Sequence, residues 1–155
     1  MKKYKGKKNF KEFFKFLSEQ GRNDLYEMVD NRTICDFVES FYPHKLPEQY
    51  LEFMHYAGNG QFWVGSSYNF LEVPKLKKYA EELLIENEFS HILNDDAFVF
   101  WMHGGYMFYF FNLNEGDDPP VYYYSECDNM KDFIKCSESF TGFIIDPYIT
   151  GIPNP

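Results

Sequence analysis

Four histidines, three cysteines and two acidic clusters are the side chains that could carry chemistry in these 155 residues. His44, His55, His91 and His103 stand at no HxxxH or HExxH spacing, the register that sets two imidazoles on one helix face around a metal. Cys35, Cys127 and Cys136 contain no CxxC pair, and an odd number frames neither a disulfide set nor a zinc site. Three small buried thiols in a reducing compartment are expected instead. The clusters at 94–96 (Asn-Asp-Asp) and 114–118 (Asn-Glu-Gly-Asp-Asp) offer oxygen ligands, but neither has the alternating ligand register of a calcium loop. Such clusters between strands commonly make turns. No GxSxG elbow, P-loop or GxGxxG occurs. The expectation is a protein without catalytic residues, metal or cofactor. A hydrolase built from scattered Glu, Asp and His is the enzymatic alternative.

Charge directs attention to binding. Residues 1–15 carry seven lysines against Glu12, a net of +6, so the overall −9 leaves −15 on the rest of the chain. An acidic body repels nucleic acid and speeds association with basic proteins. Charge of that size also keeps a chain with 18 Phe and 13 Tyr in solution. The N-terminus lacks the apolar run of a secretory signal. The longest apolar tract, 97–113, is short for a membrane span and is broken by His103-Gly104-Gly105. A cytoplasmic protein that binds neither nucleic acid nor membrane is expected.

The elements that must position any site are legible from period and punctuation. Asn9 caps a helix whose Phe10, Phe13, Phe14 and Leu17 share one face, and Gly21 ends it. A short helical segment is expected over 22–29. A helix from about Thr33 carries Ile34, Phe37, Val38 and Phe41. Another, with Pro47 at its first position, carries Tyr50, Leu51, Met54 and Ala57 and stops at Gly58-Asn59-Gly60. The period then falls to two over 61–65 and 68–73, predicting a pair of strands. Pro74 opens a helix with Leu76, Tyr79, Ala80, Leu83 and Leu84 on one side. Strands follow over 96–102 and 106–113 about a Gly-Gly turn, then 120–126 and 132–136. A helix capped by Ser137 closes the chain with Phe140, Phe143 and Ile144. The fold class is α+β: N-terminal helices, then a mainly antiparallel sheet of five to six strands, with one helix inserted and one closing. Strands aromatic on both faces need cover on both.

Taken in order, four stretches resemble the SUKH superfamily, named in part after a fungal regulator of cell-wall glucan synthesis. They are "LPEQYLEFMHYAGNG" (46–60), "FVFWMHGGYMFYFF" (98–111), "DDPPVYYY" (117–124) and "CSESFTGFI" (136–144). The resemblance runs from about Thr33 to Ile145 within a single domain of 1–155, and residues 1–30 form a basic helical extension. That helix is expected to dock on the domain, so that its removal leaves a folded core. The resemblance implies a non-enzymatic binding module. Bacterial members are immunity proteins that neutralise toxin domains, often nucleases, and fungal members look like scaffolds in cell-wall signalling. A toxin of the nuclease kind presents a basic surface, which an acidic protein would cover. The junction of acidic loop and tyrosine strand is the candidate interface: Glu115, Asp117 and Asp118 for charge, Tyr122 and Tyr124 for contact area. In a strand, Tyr122 and Tyr124 project to one face, Val121 and Tyr123 to the other.

Overall fold

The structure, a computed structural model, describes residues 2–155. Five helices and four strands follow the order α1 (Phe10–Glu19), α2 (Asn31–Glu39), α3 (Glu48–Ala57), α4 (Val73–Glu86), β1 (Ala97–His103), β2 (Met107–Asn112), β3 (Val121–Ser125), β4 (Ile134–Ser137) and α5 (Phe140–Thr150). The strands form one antiparallel sheet in sequence order, a meander with α+β architecture. No helix among the described residues is long and apolar enough to cross a membrane.

Local chemistry fixes α1 at both ends. Asn9 Oδ1 accepts the Glu12 N–H at 2.9 Å. At the other end Gly21 takes φ +72°, so that the Arg22 N–H reaches Leu17 O at 2.8 Å and the Gly21 N–H reaches Ser18 O at 2.9 Å. Phe10, Phe13, Phe14 and Leu17 on its inner face are at most 1% exposed. Phe14 stacks on Tyr56 of α3 with ring centres 4.4 Å apart, and Phe10 meets Phe140 of α5 at 6.1 Å. The basic extension is thus part of the same core as the sheet.

Both sheet faces are covered. Tyr109 and Phe111 meet Phe143, Phe140 and Tyr50 from α5 and α3 on one face. On the other, α4 packs on β1, while Phe89 and Phe133 close over Phe108, Phe110 and Tyr124. An irregularity between Val99 and Trp101 shifts the β1 register, and Trp101 meets Tyr109 at 4.7 Å.

Several expectations are corrected. Residues 61–65 and 68–73 are not strands, so the sheet has four strands rather than five or six. The main-chain N–H groups of Phe62 and Trp63 go to the Tyr68 hydroxyl at 2.6 and 3.3 Å instead of to a strand. Only Ser67 bridges to Met102, where it covers the β1 edge. Residues 22–29 hold a single 3-10 turn, Asn23–Leu25, before Glu27 and Val29 bond to the end of α3. Pro47 is the N-cap of α3 rather than its first residue. Ser139, not Ser137, caps α5, its Oγ accepting the Gly142 N–H at 3.0 Å. Tyr79 lies on the open side of α4, 46% exposed. The cysteines are not a buried set: Cys35 and Cys127 are exposed and Cys136 is half-buried. Cys35 sits on α2, which buries only Phe37.

Candidate protein-binding surface

The acidic loop links β2 to β3, and each of its three carboxylates faces a different element. Asp117 meets the start of α3: its Oδ1 accepts the Glu48 N–H at 3.2 Å, and its carbonyl accepts the Gln49 N–H at 3.0 Å. Pro47 has no side-chain oxygen with which to cap that helix, so a residue from a distant loop does so. Asp118 meets the start of α5, accepting from the Thr141 N–H at 2.8 Å and from Thr141 Oγ1 at 2.5 Å. Negative charge at two helix N-termini is electrostatically favourable. Glu115 accepts from Asn112 Nδ2 at 2.6 Å and from the Tyr122 hydroxyl at 3.1 Å.

The two tyrosines share a face, as the period of two requires, but differ in access. Tyr122 stacks on Phe110 with centres 5.4 Å apart and leaves its hydroxyl at the surface with Glu115. Desolvation, and then the Glu115 charge, push its pKa up. Tyr124 is only 4% exposed; its ring lies against Phe89 at 4.8 Å and its hydroxyl accepts from Asn87 Nδ2 at 3.0 Å. The loop therefore offers Glu115, Asp117, Asp118 and the rim of Tyr122 to solvent, while Tyr124 belongs to the core.

The chemistry-bearing side chains meet in isolated pairs. His103 Nδ1 lies 3.0 Å from Ser66 Oγ, and His91 lies 3.7 Å from an Asp132 carboxylate. No group of three or more His, Cys, Asp and Glu side chains converges on a metal-sized site among the described residues. Burial pushes the Cys136 thiol up to about 12, well away from a reactive thiolate.

A second surface was missed in the sequence. Ile85 near the end of α4 and Ile92 beyond it are 76% and 84% exposed. They line one hollow of about 290 Å³ together with Glu81, Glu88 and His91. An apolar centre with an acidic rim has the anatomy of a protein interface. The available signal was Ile85 itself, an apolar residue one step beyond the stripe that ends at Leu84.

The family model described as "SMI1 / KNR4 family (SUKH-1)" matches residues 33–146, about three quarters of the chain. The chain belongs to the SMI1 / KNR4 family. No curated protein is matched by the chain. The family match runs from Thr33 in α2 to Asp146 in α5 and includes the acidic loop, β3 and the hollow at the end of α4. It excludes α1, the helix whose phenylalanines complete the core beneath α3.

Proposed function

We propose that this member of the SMI1 / KNR4 family is a non-catalytic binding module that neutralises a basic partner protein, in the manner of an immunity protein covering a toxin domain. The observation that carries this reading is uncompensated charge. Of 24 acidic side chains, five stand within 4.0 Å of a basic group among the described residues: Asp24, Asp117, Asp132, Glu138 and Asp146. The remaining carboxylates make no ion pair among the described residues, which leaves them to be paired by a basic partner. A toxin acting on nucleic acid must present lysines and arginines, and an acidic face both attracts and masks them. The hollow at Ile85 and Ile92 supplies the apolar centre that charge alone lacks. Glu115 and Tyr122, with Asp117 and Asp118 beside them, supply a further acidic rim.

Co-expression with a toxic domain encoded beside this protein's gene tests the reading, the expected result being rescue of growth. With that domain as partner, Glu115→Lys and the pair Glu81→Lys, Glu88→Lys should each slow association about tenfold at low salt, with little difference at high salt. Absence of rescue, or on-rates unmoved by every reversal, would leave a regulatory scaffold of the cell-wall-regulator type as the better reading.

A further inference from the structure

A separate groove lies on the opposite side of the sheet from Tyr122 and Tyr124. Trp63, Trp101, Tyr109, Phe143 and Tyr148 form its aromatic walls, Lys2 and Lys3 stand at its mouth, and its volume is about 650 Å³. That is within the range of formed ligand sites. The chain's own Pro153, Asn154 and Pro155 run along one edge.

The reason this segment sits there is a gap in α5. Pro147 lies inside the helix and has no N–H, so the carbonyl of Phe143, four residues earlier, lacks its helical donor. Asn154 Nδ2 donates to that carbonyl at 2.9 Å. The next residue, Pro155, accepts from the Tyr109 hydroxyl through its main-chain oxygen. Apart from Asn154 the segment is exposed, with Ile152 turned to solvent. Two hydrogen bonds from a segment whose prolines stay exposed are a light attachment.

We propose that this groove is a docking site for a partner's proline-bearing peptide of the form Pro-Asn-Pro with acidic residues ahead of it, and that residues 152–155 occupy the site until such a peptide displaces them. Aromatic grooves accept prolines because the ring packs flat and little chain entropy is lost. The Phe143 carbonyl selects an amide donor between them. Lys2 and Lys3 select the acidic flank: neither makes an ion pair among the described residues, and Lys3 lies beside Gly151, just ahead of the bound segment. This site has the opposite charge from the face proposed to meet a toxin, so the two readings stand or fall separately.

The chain's two tryptophans, Trp63 and Trp101, both line the groove and report on it. The experiment titrates a blocked peptide, Glu-Glu-Gly-Ile-Pro-Asn-Pro, into the full chain and into a full-length variant carrying Pro153→Gly, Asn154→Gly and Pro155→Gly. The variant should show a saturable fluorescence change. The parent chain should bind at least about tenfold more weakly, because its tethered segment competes at high effective concentration. A peptide with alanine in place of asparagine should lose about fivefold, the worth of one hydrogen bond to an otherwise unpaired carbonyl. No saturable change in a variant that still unfolds cooperatively overturns the proposal, as does equal binding of the asparagine and alanine peptides. Should the triple variant not fold, Asn154→Ala is titrated under the same criteria. Concentration-dependent dimers with no peptide response would assign the groove to a second copy of this chain, and the proposal would fail.

Discussion

Asp118 shows how a single carboxylate can be an exposed charge and a structural group together. One oxygen takes the Thr141 main-chain N–H and the other takes its hydroxyl, both at the first turn of α5. Thr141 is itself buried, so removing the carboxylate strands two donors where water has poor access. Asp118→Ala should cost about 1–3 kcal/mol, read as a lower urea midpoint at unchanged slope. Glu115→Gln, which keeps the shape and loses only an exposed charge, should stay within about 0.5 kcal/mol. Equal stability of the two variants would mean that the Asp118 bonds contribute nothing. Of these roles the sequence displayed the residue types but not their partners. Asp117 and Asp118 bond to groups 69 and 23 positions away, and no local pattern encodes that distance.

Among the elements, α1 was the most legible and has the largest consequence for stability. Its cap, its stripe and its terminal glycine all agree in sequence, and the structure keeps each. Residues 61–73 were illegible for a physical reason. Alternating aromatics describe a chain that is half buried, and a loop pinned by the Tyr68 hydroxyl meets that description as well as a strand does. The tertiary weight of α1 was likewise hidden, because a stripe shows that a face is buried but not how deeply. Phe14 touches Phe10, Phe13, Tyr26, Phe53, Tyr56 and Phe62, so Phe14→Ala should cost about 3–5 kcal/mol by calorimetry or urea unfolding. That is a large part of the roughly 5–15 kcal/mol that holds a domain folded. A chain beginning at Asn31 should therefore lose its cooperative transition, against the expectation of an independent core. A sharp transition in that truncated chain would restore the expectation.

The whole molecule should be an alkali-sensitive one. Desolvation raises the hydroxyls of Tyr50, Tyr68, Tyr109 and Tyr148 above the ordinary 10.0, and the Cys136 thiol above 9.0 to about 12. In each case the folded state holds a proton that the unfolded state releases first. Their contribution is therefore complete below about pH 9 and is lost as pH rises through the folded values. The growing negative charge of an already acidic body acts in the same direction. The urea midpoint should be level from pH 7 to 9 and fall steadily to pH 11, and a midpoint that rises over that interval would contradict the burial of these groups.

The paired aspartates also determine where this architecture can grow. Most hairpin loops tolerate inserted residues, since each doubling of loop length adds only about 0.6 kcal/mol of closure entropy. The turn at Gly104 and Gly105, exposed and in the left-handed conformation, is of that permissive kind. The loop at 114–118 is not, because two successive residues must reach the beginnings of two helices at once. An epitope tag or a circular break belongs at the first site. At the second, a single inserted residue would put one of the two helices out of reach.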